Sequence, residues 1–325
     1  MEKRQILLIL KILSGVVLMG ILFYQVDWRI MAQTLRQISI FYLVLIFLLG
    51  FVMLGVSCWK WQILLFSQKL SLKFRYLTVS YFIGYFFTNF LPTNVGGDVV
   101  RGYLVGRDTG QQAKSFWSVF MERFTGAVVL LLWAALTPLI NPSVLKNKPI
   151  TAIALLSWAY LVFIALILFQ RKFLYRTVKK MFNIRFIWDR ADRIINKLKE
   201  ADISRGLIVR VMAITVFFYF LTFLNVYLGY LTFGVRVPVR EVLTYTPIIM
   251  VVSILPISIN AIGLSEGAFV YCFLLAGISK EASLSAALLI RLKPVLFGMI
   301  GGIFYIFSPK VSREQIVQDK ALRSG

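Results

Sequence analysis

LPTNVGGDVVRG, residues 91–102, interrupts a chain that otherwise reads as oil. It ends an apolar run over residues 76–92 with a proline, follows with two glycines, and then places Asp98 and Arg101 where a membrane helix would continue. Proline withholds a backbone N–H and clashes with the preceding turn, while glycine lets the chain turn tightly or approach another backbone. Irregular backbone at membrane depth survives only when it is buried in protein or faces water. Whether this passage crosses a bilayer, or dips in and returns, decides the fold.

The bilayer itself follows from composition. Of 325 residues, 59% are hydrophobic, mean hydropathy is +0.80, and apolar runs of about twenty residues recur from end to end, as an all-α polytopic membrane protein requires. Spans are expected over residues 5–24, 39–58, 116–139, 150–170, 207–233 and 283–308, about six in all. The stretches 76–92 and 242–279 are apolar too, but carry the proline and glycine breaks. The N-terminal MEKRQILLILKILSGVVLMGILFYQ starts basic like a signal peptide. Its apolar stretch is too long and no small-x-small cleavage site follows, so it reads as a retained first span.

A net charge of +22, from 36 basic against 14 acidic residues, would suggest nucleic acid in a soluble protein. In a membrane protein, basic loops orient the chain and hold it against anionic lipid, so no nucleic-acid partner is expected. Cys58 and Cys272 fall in or beside apolar segments and make neither a disulfide framework nor a metal cluster. The absence of histidine excludes His-based triads and His metal sites. No nucleotide-binding P-loop is present. No cofactor, metal or catalytic residue is expected.

Loop charge gives the topology. The connection from Arg171 to Arg205 carries eleven Lys/Arg against four Asp/Glu, and the loop with Lys60, Lys69, Lys73 and Arg75 carries no acid. Both should be cytoplasmic, like the Lys3-Arg4 terminus. These assignments agree only if the stretch around LPTNVGGD enters from the cytoplasm and returns to it, with a loop over 93–112 on that side. A cytoplasmic C-terminus bearing Lys310, Arg313, Lys320 and Arg323 then requires the stretch between spans 207–233 and 283–308 to enter and leave from outside. A span, a broken hairpin and a span therefore occur twice in opposite orientation, the inverted repeat of many transporters. In this division residues 1–308 form one transmembrane domain and 309–325 a cytoplasmic tail.

The second break, LPISINAIGLSEGAF at 255–269, shares with the first a Leu-Pro pair, then a glycine, then an acid within three residues. Each acid is followed 25 residues later by an arginine, Asp98 by Arg123 and Glu266 by Arg291. A broken helix exposes free N–H groups at the start of its second half, where the helix dipole favours phosphate or carboxylate. Asn94, Gly96 and Gly97, with Asn260 and Gly263, are placed to line such a cavity. Arg101, Arg123 and Arg291 can fork onto a phosphate, while the acids hold those arginines, recognise a cationic headgroup or carry a proton. The bland alternative is that Asp98, Glu122, Arg123, Glu266 and Arg291 neutralise one another between helices; intramembrane charge is costly enough to make function the default for the set.

Other features carry less. Lys11 should snorkel, Lys293 with Pro294 should bend the last helix, and Gly298, Gly301 and Gly302 should permit close packing. Residues 173–200 space apolar and basic side chains like an amphipathic helix on the inner leaflet, or like a solvated linker.

With FLPTNVGGDVVRGYLVGRDTG, the Glu122-Arg123 pair, LPISINAIGLSEGAF and Arg291, the chain resembles the lysylphosphatidylglycerol synthase transmembrane region, or flippase-like, family from its first helix to about residue 308. The resemblance implies a lipid-handling membrane domain; in multiple peptide resistance factors it implies movement of aminoacylated phosphatidylglycerol between leaflets. Those two-part proteins continue into a soluble aminoacyl-transfer domain, whereas this chain looks like the membrane half alone and is not expected to make lysylphosphatidylglycerol. Some archaeal relatives are linked to lipid-linked sugar transfer.

The leading expectation is a multi-pass lipid translocase of the plasma membrane with both termini cytoplasmic. Its two hairpins would form a midplane site for an anionic or aminoacylated phospholipid or a polyprenyl-phosphate lipid. The competitors are a lipid-linked glycosyltransferase, with Asp98 or Glu266 as base or metal ligand, and an accessory subunit of a separate lipid-modifying enzyme, either alone or as a homo-oligomer.

Overall fold

The computed structural model describes residues 3–90, 95–169 and 204–307. Among them it contains eleven α-helices, two short 3-10 turns and no strand. In chain order the helices are α1 (Lys3–Tyr24), α2 (Trp28–Arg36), α3 (Ile40–Ser67), α4 (Phe74–Phe90), α5 (Gly96–Thr109), α6 (Gln112–Ile140), α7 (Lys148–Phe169), α8 (Arg205–Thr232), α9 (Val239–Ile254), α10 (Leu264–Leu275) and α11 (Lys280–Phe307). The amphipathic stretch 173–200 and the tail 309–325 lie outside the described residues.

Five helices, α3, α6, α7, α8 and α11, are long and apolar enough to cross a membrane. α1, read as the sixth span, is a helix of 22 residues, about 33 Å long at 1.5 Å per residue. The spans differ in how much of their surface the protein covers. Only 17% of the apolar window of α7 is buried against 39% for α11, so α7 lies at the periphery, packed on α6, and α11 runs through the middle.

Two expectations about local structure are corrected. The span expected to end at residue 58, with Lys60 in a basic loop, continues as α3 to Ser67. Lys60 is buried inside the bundle, so its charge does not mark a loop. Residues 93–112 were read as a loop, but Gly96–Thr109 are helix α5. After the proline the glycines do not extend the break; they begin a new helix that lies against α4. The short α2 was not anticipated. It starts because Asp27 caps it, its Oδ1 accepting from Arg29 N at 2.8 Å and Ile30 N at 3.4 Å.

The packing repeats. α3–α6 and α8–α11 are two sets of four helices, and the first helix of one, α3, packs on the first of the other, α8. These two run antiparallel: Ser39 N, at the start of α3, donates to Thr232 O, at the end of α8, at 2.8 Å, while Lys60 near the other end reaches Thr215. In each set the two shorter helices pair with one another, and the first of them packs against the last helix of the other set, α4 on α11 and α9 on α6. α4 and α5 are also antiparallel, because Tyr76 at the start of one donates to Asp108 Oδ2 at the end of the other at 2.8 Å.

Close backbone approach sets the α4–α11 contact. A Cβ on Gly301 would fall on the Phe82 carbonyl, one on Gly298 on Asn89, and one on Gly302 against the Phe86 ring. Asn89 Nδ2 also donates to Pro294 O at 3.0 Å. The α4–α5 pair is closed the same way, since a Cβ on Gly97 would collide with the Gly84 carbonyl and Thr88 Oγ1.

Candidate functional site

The first break delivers its charges into a cluster walled by α3, α4 and α6. Asp98 lies in the first turn of α5, where a carboxylate suits the helix dipole. One turn on, Arg101 points the same way and is one of the largest fully buried side chains in the protein. Its Nε and Nη2 both contact Asp98 Oδ1 at 3.0 Å, and its Nη1 donates to Glu122 Oε2 at 2.7 Å. Tyr81 donates its hydroxyl to the other Glu122 oxygen.

The faces of the Arg101 guanidinium are covered as well. Its carbon sits 4.3 Å from the Tyr81 ring centroid and 4.6 Å from that of Trp61, the arrangement in which a cation is attracted to a ring face. Trp61 is itself fixed, donating Nε1 to Ser118 Oγ at 2.9 Å. Arg101 is thus held on every side by the protein. Sequence reasoning missed Trp61 and Tyr81, because aromatic residues in an apolar run look like ordinary core.

Arg123 is different. Its Nε donates to Asp98 Oδ2, yet 66% of its side chain is exposed, and its terminal nitrogens meet no acceptor among the described residues. Glu122 and Arg123, adjacent in sequence, do not pair with each other; they clasp Arg101 and Asp98 respectively.

In the second half, the acid and arginine found 25 residues apart also meet: Arg291 Nε donates to Glu266 Oε1. Glu266 is fully buried and its other oxygen accepts from Gly263 N at 2.8 Å. The carboxylate therefore occupies the N-terminus of α10, where the sequence pattern left a free N–H for a headgroup. Arg291 donates its two remaining nitrogens to backbone carbonyls, Nη1 to Asn260 O at 3.1 Å and Nη2 to Ala261 O at 3.2 Å. Those residues have positive φ, 50° at Asn260 and 53° at Ala261, followed by Gly263 at 78°. Positive φ is a conformation that only glycine adopts without penalty, and Arg291 is tied to the carbonyls of both non-glycine residues that adopt it here.

Of the proposed lining residues, Gly96 and Gly97 are buried at the start of α5 and Gly97 is packed on α4. Asn260 and Gly263 belong to the second break, and Asn94 lies outside the described residues. Among the described residues no hydrogen bond or ion pair joins the two clusters, one on α3–α6 and one on α10 and α11.

Two buried cations were read from the sequence as something else. Lys60, taken for a loop residue, contacts Glu122 O at 3.4 Å and Thr215 Oγ1 at 3.5 Å. Lys293, taken for part of a bend, donates to Asn225 Oδ1 on α8. Lone lysines inside apolar runs were the available signal. Cys58 and Cys272 are buried free thiols.

Residues 8–302 match the model of a protein family described as the lysylphosphatidylglycerol synthase TM region. A "UPF0104 membrane protein" from Methanothermobacter thermautotrophicus is 24% identical over 301 residues, which cover 84% of this chain and 86% of that one. No solved structure matches the chain.

Proposed function

The chain belongs to the lysylphosphatidylglycerol synthase transmembrane-region family, and from that membership we propose that it moves a phospholipid or lipid-linked headgroup between the two leaflets of a cell membrane. The α4–α5 and α9–α10 pairs are read as re-entrant, one dipping in from the cytoplasm and one from outside, with both chain termini cytoplasmic. The antiparallel α3–α8 pair and the repeated packing of the two sets support that plan. Short broken helices facing each other across a bilayer midplane are where transporters keep their polar sites.

The observation that carries the reading is the contrast between Arg101 and Arg123. Arg101 is enclosed by Asp98, Glu122, Trp61 and Tyr81. Asp98, already bound to it, also holds Arg123, whose side chain is two-thirds exposed. The buried group positions the acid, and the acid presents an arginine outward, ready to fork onto a lipid phosphate. Arg291, with its nitrogens on protein acceptors, holds the second break in shape rather than meeting the headgroup.

A second reading draws on the same internal bonds. If Arg123 also serves only to close a network, the protein is a non-transporting partner of a lipid-modifying enzyme. Leaflet exchange of short-chain fluorescent lipids in proteoliposomes separates the two. The translocase reading expects headgroup-dependent exchange that is lost in folded Arg123→Ala and reduced in Asp98→Asn. No exchange across anionic, zwitterionic, aminoacylated and polyprenyl-phosphate lipids would sink it.

A further inference from the structure

Among the described residues two buried lysines have no carboxylate paired with them. In the first half Asp98 and Glu122 answer Arg101 and Arg123; in the second Glu266 answers Arg291, Glu241 pairs with the exposed Arg240, and the buried Glu281 accepts from Asp27 N. Lys60 and Lys293 are left over. Both are buried, 7% and 5% exposed, and among the described residues neither forms an ion pair. Lys60 has a carbonyl and a hydroxyl, and Lys293 an amide oxygen.

Each half therefore holds one buried lysine that no carboxylate pairs with among the described residues, and both lie against the α3–α8 pair. Lys60 reaches from α3 to Thr215 on α8. Lys293 reaches from α11 to Asn225 on α8, its stem so close to α3 that a Cβ on Gly50 would stand 3.3 Å from Lys293 Cδ. The positions correspond: Lys60 and Asn225 each stand twenty residues past the first residue of their helix, Ile40 and Arg205. An ammonium in a low-dielectric interior with only neutral acceptors is costly, and an ionisable residue kept at such depth points to use.

We propose that the headgroup carried by this protein is anionic, a lipid phosphate with no amine of its own, and that Lys60 and Lys293 neutralise it as it passes along the α3–α8 pair. This rests on the translocase reading and names its substrate class. An aminoacylated headgroup brings its own ammonium up to two lysines that no carboxylate answers, and like charges at low dielectric repel strongly. Phosphatidylglycerol and polyprenyl phosphate share the required chemistry.

The test is lipid binding to the full chain in detergent, measured by native mass spectrometry with phosphatidylglycerol, polyprenyl phosphate, phosphatidylcholine and lysylphosphatidylglycerol. One or both of the anionic lipids should bind at least about tenfold more tightly than the aminoacylated one, and which of them does identifies the source of the phosphate. Lys60→Gln with Lys293→Gln should remove most of that preference, and the two single variants should each remove part. Equal or tighter binding of lysylphosphatidylglycerol overturns the proposal, as does a preference that survives the double substitution. If the double variant does not fold, Lys293→Met alone decides by the same criterion.

Leaflet exchange of the same four lipids keeps this proposal distinct from the translocase reading. Exchange favouring lysylphosphatidylglycerol leaves the translocase standing and overturns the charge argument. Lysine-dependent binding of anionic lipid without any exchange upholds the charge argument as a binding site and overturns transport.

Discussion

Arg291 bonds to Glu266 across the 25 residues that separate them, and the pair closes the second break from both sides. Glu266 caps Gly263 while Arg291 holds the carbonyls of Asn260 and Ala261. The pair is more than two opposite charges, because each partner also has a backbone acceptor or donor of fixed polarity. Arg291→Lys keeps the charge but cannot span both carbonyls, and should cost about 3 kcal/mol, from bonds to a charged donor each contributing about 1.5–3 kcal/mol. Thermal unfolding in detergent, followed by tryptophan fluorescence, reads that loss. The exchange of Glu266→Arg with Arg291→Glu should not restore stability, since it sets a cation against the Gly263 N–H and an anion against two carbonyls. Full rescue would mean the charges alone matter.

Arg101 is the enclosed member of the first cluster, so removing it leaves Asp98 and Glu122 with fewer partners in a buried site. Breaking a buried ion pair from one side costs about 3–5 kcal/mol, whereas replacing both sides is often nearly neutral. Arg101→Met should therefore be strongly destabilising, and Arg101→Met with Glu122→Gln should recover part of the loss. Unfolding curves of the two variants check the order; a single variant as stable as the wild type would show that the cluster does not hold α5 against α6.

Glycine contacts give a prediction independent of charge. Gly301→Ala and Gly97→Ala would each place a methyl on a neighbouring backbone carbonyl, and overpacking of this kind costs about 1–3 kcal/mol. Gly126→Ala and Gly55→Ala meet nothing within 4 Å, and should be neutral or slightly stabilising, because alanine is the better helix former. Comparing the melting temperatures of the four variants tests whether α4 and α11 approach as closely as described.

What could be read in advance followed the physics each signal carries. Apolar length reports burial in lipid, so α3, α6, α7, α8 and α11 were visible as spans. The equal spacing of Asp98 to Arg123 and of Glu266 to Arg291 pointed to the residues that now form ion pairs. It did not say what else each would touch. That Arg291 is engaged by backbone carbonyls while Arg123 is exposed depends on tertiary placement that spacing does not encode. Lys60 was placed in a loop, and Trp61 passed over, for a related reason. A lysine after an apolar run looks the same whether it ends the helix at a membrane surface or turns inward, and only the neighbouring α6 and α8 distinguish the two.

The membrane depth of the first helix pair is the last thing to test, because the translocase plan needs it to be re-entrant. Tyr76 and Asp108 hold the start of α4 beside the end of α5, so Lys73 and Gln111, just outside the pair, should emerge on one face. Single cysteines there should react with a membrane-impermeant maleimide from the cytoplasmic side. Cysteines at Arg236 and Ser279, which flank α9 and α10, should react from outside. The native Cys58 and Cys272 are buried and stay silent. Val95→Cys, exposed immediately before α5, decides depth: in a re-entrant pair it cannot be reached from outside, whereas in a pair that crosses completely it labels there. Protection of Val95→Cys from outside, together with cytoplasmic labelling at residues 73 and 111, is the expected pattern. Labelling of the break from outside would leave two ordinary spans and remove the reason for placing a midplane site at Asp98 and Arg123.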